Sequence, residues 1–127
     1  MSIINLTNHP SVAWGEEQKT AAQRYGNIID LPFPDIGATL DETDIQRLAY
    51  DYVRKVIELH PQAVICQGEF TFVYAVVTEL RKKGIRVLSA CSERKAAEKF
   101  MPDGSVQKTA VFKFVRFREY TECGEGV

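Results

Sequence analysis

Three short polar segments of this 127-residue chain hold the side chains that could carry chemistry. Imidazole, hydroxyl and guanidinium groups can move a proton or stabilise a phosphate oxygen. Such a set favours a ligand that carries phosphate. The first segment holds Asn8, His9, Ser11 and Trp14; the second is Gln67-Gly68-Glu69; the third is Ser92-Glu93-Arg94-Lys95.

Most of these residues also have a purely structural interpretation. His9 and Ser11 flank Pro10 and could only shape a turn, and Trp14 could belong to the core. Gly68 could only permit a tight turn from strand to helix, and Glu69 could sit at a helix N-terminus, where a carboxylate is favoured. The third segment is harder to explain in this way, because polar residues directly after a buried strand lie on loops, where function concentrates.

Several enzyme classes are disfavoured by motifs that the sequence lacks. There is no GxGxxG, no GxxxxGK[ST] and no HExxH, and the chain has only two histidines, His9 and His60. We therefore expect no metal and no cofactor. Cys91 is a weak candidate nucleophile, since no base lies near it in sequence. Three cysteines without a CxxC pair indicate reduced thiols.

Composition predicts one folded domain. Apolar residues make up 45% and charged residues 26% of the chain, and the length suits a single core, which we place at residues 1–120 with a frayed tail at 121–127. The apolar runs are too short to cross a bilayer, and the N-terminus does not resemble a signal peptide. A cytoplasmic protein without a membrane partner is expected.

Charge is unevenly distributed along the chain. Residues 1–80 carry a formal net charge of −6, residues 81–118 carry +8, and the last nine carry −3. A basic segment of this kind can present a positive face to a polyanion, or it can simply be a solvated face. The sequence leaves both alternatives open.

Alternating apolar runs and amphipathic segments predict the elements. We expect strands at 3–6, 27–31, 63–66 and 85–88, and helices after Gly15, after Thr39 and after Glu69. Thr39 and Glu42 resemble a capping box. Residues 89–95 are expected to leave the fourth strand, residues 96–100 suit either helix or strand, and the turn 101–105 followed by strand formers from 106 to 120 favours a hairpin.

The resulting fold class is α/β, a small Rossmann-like, mostly parallel sheet with helices on both faces and a C-terminal antiparallel hairpin. The third helix has little polar surface, so either the core covers it or a second subunit does; we favour a homodimer. Because ligands bind at the carboxyl ends of parallel strands, the three polar segments should meet at one edge. Ser11, Gln67 and Arg94 are expected to line one cationic, hydroxyl-rich pocket there.

Four stretches of the sequence resemble the small stand-alone proteins of type III CRISPR loci, which are similar to CARF domains. They are Asn5-Leu6-Thr7-Asn8-His9-Pro10-Ser11 with Trp14 and Glu17-Gln18, then Gln67-Gly68-Glu69-Phe70, then Ser92-Glu93-Arg94, and finally Phe114-Val115-Arg116-Phe117-Arg118-Glu119-Tyr120. The resemblance spans nearly the whole chain. It implies a Rossmann-like dimer that binds a cyclic oligoadenylate and either cleaves it as a ring nuclease or only sequesters it.

On this resemblance His9, Ser11 and Arg94 would be catalytic, since the ligand brings its own nucleophile, the ribose 2′-OH, and needs no metal. His9 and Ser11 would position that hydroxyl or transfer its proton, and Arg94 would bind phosphate. No long nucleic acid is implied as a partner. The ligand would also be contacted by Asn8, Trp14, Gln67, Gly68, Glu69, Ser92, Glu93 and Lys95.

Overall fold

The apolar run after Met1 forms the second strand across a five-stranded sheet in the computed structural model, which describes residues 1–126. The order across the sheet is β2-β1-β3-β4-β5. The first four strands of that order run parallel, and the last pair is antiparallel. The strands are β1 (Ser2–Leu6), β2 (Asn27–Asp30), β3 (Ala63–Cys66), β4 (Arg86–Phe100) and β5 (Val106–Glu119).

Three helices cover the two faces of this sheet: α1 (Glu16–Gln23), α2 (Glu42–Glu58) and α3 (Phe70–Lys82). On one face Ala22 of α1 packs with Trp14, Ile3 and Leu88. On the other face α2 and α3 bury Ile4, Leu6, Val64 and Val87. The mostly parallel α/β fold with helices on both faces and an antiparallel C-terminal pair is confirmed.

Helix α2 begins later than the sequence predicted. Asp41, not Thr39, is the N-cap: its carboxylate accepts from the Asp44 N–H at 2.9 Å, and the Asp44 carboxylate accepts from the Asp41 N–H at 3.1 Å. This reciprocal pair is a capping box. The prediction was wrong by two residues because a carboxylate two positions on caps equally well.

The fourth strand does not end at Leu88, and the prediction that residues 89–95 leave it is wrong. β4 continues to Phe100 and pairs with β5 from Leu88–Glu119 to Phe100–Val106, with an irregularity between Cys91 and Ser92. The β-branched and aromatic residues of β5 supply a continuous ladder partner, which outweighs the polar composition of residues 92–95. The hairpin of residues 92–114, here called the arm, extends beyond the rest of the sheet.

The core covers one face of α3, and the homodimer stays a prediction. Phe72, Val76 and Leu80 are fully buried, whereas Phe70 and Tyr74 are exposed. Residues 121–126, which we expected to be frayed, contain turns, and Glu125 accepts a hydrogen bond from Arg81 at 2.8 Å. Val127, the end of the predicted tail, lies outside the described residues. Within residues 1–126 no helix is both long and apolar enough to cross a bilayer.

Candidate functional site

The strand order changes direction between the two central strands, β1 and β3. From β1 the chain passes through α1 to β2 on one side, and from β3 it passes through α3 to β4 on the other side. In open parallel sheets ligands bind in the crevice at this switch point, outside the carboxyl ends of the strands. A cleft of about 830 Å³ opens at that edge on the α1 face. Its lining residues are Thr7, His9, Ala13–Gln18, Ile65, Gln67, Ala90, Ser92 and Phe112–Phe114.

The loop after β1 is held by its own hydrogen bonds. The His9 carbonyl accepts from the Asn5 amide at 2.9 Å and from the Trp14 indole N–H at 3.1 Å, and the Thr7 hydroxyl lies 3.2 Å away. Asn5 is buried and Thr7 is nearly so. These contacts fix the backbone of the loop and leave the exposed His9 imidazole at the cleft.

Ser11 is engaged away from the cleft. It begins a short 3-10 turn (Ser11–Ala13), and its hydroxyl donates to Asp30 Oδ2 at 2.8 Å while its N–H donates to Asp30 Oδ1 at 3.1 Å. Asp30 ends β2, so Ser11 ties the loop to the neighbouring strand. It is not among the residues that line the cleft.

Gln67 lies in the cleft wall, and its amide extends the sheet. Its Oε1 accepts from the Ala90 N–H at 2.8 Å, and its Nε2 donates to the Ala90 carbonyl at 3.3 Å. The register of β3 on β4 places residue 67 beside residue 90, so the side chain replaces backbone pairing where β3 ends. Gln67 therefore connects two strands at the candidate site.

Gly68 and Glu69 have the structural roles that the sequence offered as alternatives. Gly68 has φ +155°, and a Cβ at this position would overlap the Phe33 ring. Glu69 is the N-cap of α3 and accepts from the Phe72 N–H at 2.8 Å. Hydrogen bonds from the Thr71 hydroxyl and the Phe72 N–H lower the pKa of the Glu69 carboxyl from its ordinary value.

The four residues of the third polar segment lie in strand β4 and do not all reach the cleft. Ser92 lines the cleft, but Glu93, Arg94 and Lys95 do not. They continue outward along the arm, where Arg94 pairs with Phe112 and Lys95 with Val111. The prediction of a loop that turns these charges into the pocket is wrong because β5 holds the segment extended.

Four of the predicted site residues thus meet in one cleft: His9, Trp14, Gln67 and Ser92. Asn8 and Glu69 line a separate cleft of about 330 Å³ beside Phe33 and Asp35. The remaining five predicted site residues, Ser11, Gly68, Glu93, Arg94 and Lys95, line neither of these two clefts. Ser11, Gln67 and Arg94 do not converge within a single chain.

Sequence analysis missed several residues of the cleft wall, above all Phe112 and Phe114. The signal was present, since β5 carries large apolar groups on both alternating faces, more than one buried face requires. Thr7 and Gln18 also line the cleft and were missed. Their position depends on how the loop after β1 folds back toward the sheet.

The charge of the cleft differs from the expected cationic pocket. Its formally charged lining residues are Glu16, Glu17 and Lys113. Side chains alternate along a strand, so the Lys113 side chain points to the face opposite Phe112 and Phe114. Glu16 lies 3.9 Å from Lys19. Nowhere in residues 1–126 do three or more His, Cys, Asp or Glu side chains gather as a group that could hold a metal ion.

The arrangement combines aromatic surface with neutral hydrogen-bonding groups. Phe112 and Phe114 supply accessible rings, whereas Trp14 is buried in the core and only borders the cleft. Thr7, Gln18 and Ser92 supply hydroxyl or amide groups, and His9 supplies an imidazole. Aromatic rings stack on bases, and hydroxyl and amide groups bond their edges and the ribose. The volume lies in the range of about 300–1,000 Å³ that is usual for small-molecule sites. The cleft can thus hold a nucleoside-sized group beside an imidazole.

A family model described as "Uncharacterized protein MJ1673 family" matches residues 1–118 of the chain. The match runs from the first residue of the protein to the penultimate residue of β5 and so includes every residue of the cleft. No curated protein and no solved structure matches the sequence significantly.

Proposed function

Because the chain belongs to the uncharacterized protein MJ1673 family, whose description assigns no activity, we propose a function from the site: the protein binds a cyclic oligoadenylate and cleaves it. The cleft at the carboxyl ends of β1 and β3 receives the ligand, and the reaction switches off type III CRISPR signalling in the cytoplasm. The Rossmann-like, CARF-like assignment is part of this proposal and is supported by the strand order at the switch point.

One observation carries the proposal: the exposed Phe112 ring and the half-buried Phe114 ring line the same cleft as His9, at the edge of the sheet where ligands bind. Adenine is recognised by stacking on such rings and by hydrogen bonds along its edges. The resemblance of the first and second polar segments to CARF-like proteins adds the ligand class. The ligand has rotational symmetry, so it suits a homodimer that offers two clefts.

The cleavage step needs only groups that the ligand, His9 and water supply. The ribose 2′-oxygen attacks the adjacent phosphorus and loses its proton to a base, and the bond from phosphorus to the 5′-oxygen breaks. The departing 5′-oxygen takes up a proton, and a 2′,3′-cyclic phosphate remains. The His9 imidazole accepts the first proton or donates the second, and water takes the other of these two transfers. Positioning the attacking oxygen in line with the leaving oxygen supplies much of the acceleration.

A second candidate is binding without cleavage. Ser11 bonds to Asp30, and Arg94 lies outside the cleft of its own chain, so two of the three expected catalytic side chains are not beside His9. A protein with this site could hold the cyclic ligand and only sequester it. The two candidates share the ligand and differ in turnover.

The test is incubation with cyclic tetra-adenylate in the presence of EDTA, followed by mass spectrometry of the products. We expect linear adenylates that end in a 2′,3′-cyclic phosphate. Replacing His9→Ala should slow their formation on the order of 100-fold, the usual contribution of one proton-transfer group. The matched control is His60→Asn, because His60 lies at the opposite edge of the sheet and asparagine tolerates its positive φ of 47°.

The outcomes separate the candidates. Binding without linear product favours sequestration. Neither binding nor product refutes the proposed ligand and leaves an α/β protein of other nucleotide chemistry or an interaction subunit. Equal rates for the two histidine variants would contradict the role of His9.

A further inference from the structure

The arm is a long hairpin whose two faces are both exposed to solvent. Every residue of β4 from Ser92 to Phe100 is exposed, and so are residues 106–113 of β5. At about 3.3 Å per residue the nine residues of β4 in the arm span roughly 30 Å. Large apolar side chains stand on it, with Phe100 77% and Phe112 70% exposed. Exposed contiguous apolar surface of this kind marks an interaction site.

The register shows that these apolar groups share one face. Residues paired across antiparallel strands project to the same side, and the pairs Ser92–Phe114, Arg94–Phe112, Ala96–Ala110 and Phe100–Val106 alternate with the others. The same side carries Phe112 and Phe114, which line the cleft. The opposite side carries Glu93, Lys95, Lys99 and Lys113, with Val111 among them. The apolar face of the arm is therefore continuous with the cleft wall.

The charges on the arm and on the rim of the cleft indicate that a second copy of the chain covers the apolar face of the arm. The apolar face of the arm carries Arg94 and Lys108 with Glu98, while the rim of the cleft carries Glu16 and Glu17. Glu17 has no ion-pair partner in the part of the chain that the structure describes, and the pair of Glu16 with Lys19 is long. A cationic, apolar arm and an acidic, aromatic cleft on the same chain complement each other between two copies.

We propose that the apolar face of the arm packs on the same face of a second copy, so that each arm covers the other copy's cleft. The interface is isologous, since both copies use the same surface. It buries Phe100, Val106 and Phe112, and it brings the partner's Arg94 toward Glu17 and the mouth of the cleft. The guanidinium group of Arg94, which lies outside the cleft of its own chain, is then supplied to the cleft of the other chain.

The first test is the oligomeric state, measured by sedimentation velocity over a concentration series. The wild-type protein should sediment as a dimer and Phe100→Lys as a monomer, because the substitution places a charge in the apolar face, far from the cleft of its own chain. The matched control is Val111→Lys, which adds the same charge on the opposite face of the arm, and it should remain a dimer. A wild-type monomer, or a folded Phe100→Lys dimer, would overturn the proposal.

The second test concerns Arg94, and this step rests on the proposed function. His9→Ala and Arg94→Ala chains are unfolded and refolded together, so that mixed dimers form. If the partner supplies Arg94, one cleft of each mixed dimer has both groups, and about a quarter of the wild-type rate on cyclic tetra-adenylate should return. If each cleft uses its own Arg94, no rate returns, and supply in trans is refuted.

The two tests fail independently. A wild-type protein that neither binds nor cleaves cyclic tetra-adenylate would refute the proposed function, while sedimentation of Phe100→Lys and Val111→Lys would still decide the arm interface. A dimer that the Phe100→Lys substitution leaves intact would refute the interface and leave the ligand proposal standing.

Discussion

Asn5 shows how one buried side chain prepares the candidate site. Its amide nitrogen donates to the His9 carbonyl and, at 2.8 Å, to Asp30 Oδ1, while its oxygen accepts from the Thr7 hydroxyl at 2.8 Å. A buried amide without partners would be costly, so these contacts hold the loop after β1 in one conformation. The imidazole of His9 is then presented to the cleft by a rigid backbone, as a proton-transfer group requires.

The Glu69 carboxylate makes the stability of the folded protein depend on pH. Its pKa is lowered from 4.5 by hydrogen bonds from Thr71 and Phe72, so its charged form stabilises the folded state. That contribution is present above pH 4.5 and is lost as the pH falls through the lower folded pKa. Glu69→Gln should therefore lower the melting temperature at pH 7, and the difference from wild type should shrink below pH 4.5.

The measurement is thermal unfolding by circular dichroism at a series of pH values. Glu93→Gln, at an exposed position on the opposite face of the arm, is the control and should follow the wild type throughout. A difference between Glu69→Gln and wild type that grows in acid would contradict the assignment of the stabilising charge.

At the scale of elements, the connection from β3 to α3 joins two strands and a helix within three residues. Gln67 continues the pairing of β3 with β4, Gly68 turns the chain where the Phe33 ring leaves no room for a Cβ, and Glu69 caps the helix. The residues that resemble a ligand-binding motif therefore also build the edge of the sheet. Their two roles are compatible, because a cleft needs rigid walls.

Loss of the Gln67 amide should weaken this edge. Gln67→Ala leaves the Ala90 N–H and carbonyl without their partner, which costs about 1–3 kcal/mol in the free energy of unfolding. Urea denaturation measures it. Gln107→Ala removes an equivalent amide from the exposed arm and should change the stability little. Equal effects of the two substitutions would show that the bridge to Ala90 does not contribute.

On the scale of the whole molecule, the three free thiols sample three environments. Cys66 is fully buried at the end of β3, Cys91 is partly buried where β4 enters the arm, and Cys123 is exposed after β5. Burial raises the pKa of the Cys66 thiol to about 12, so this group stays neutral and shielded. The thiolate is the reactive form of cysteine, so the rate at which each thiol is alkylated shows whether that thiol is buried.

Iodoacetamide should accordingly modify Cys123 readily and leave Cys66 unmodified in the folded protein. Peptide mass spectrometry after timed quenching measures the order, and a sample in urea, where all three thiols react, is the control. Modification of Cys66 at the rate of Cys123 would contradict the buried position of β3.

The sequence by itself determined the first three strands, the presence of the three helices and the two polar loops at the carboxyl edge. Local patterns suffice for these: the apolar runs of β1 and β3, the 3.6-residue period of α2, and the placement of His9 and Gln67 directly after strands. The site residues on these two loops were found in part, since His9, Trp14 and Gln67 do line the cleft. Their types and spacing reflect contacts made nearby in the chain.

Only the tertiary structure decided the third segment and the charge of the cleft. Residues 92–95 are polar enough to form a loop, and they are a strand because β5, from residue 106 onward, pairs with them across the arm. Pairing with a distant segment is not encoded in local composition, which is why Arg94 was expected in the pocket. The same pairing leaves one apolar face of the arm exposed. It also places Phe112 and Phe114 in the wall of the cleft, although these residues are far in sequence from the two polar loops.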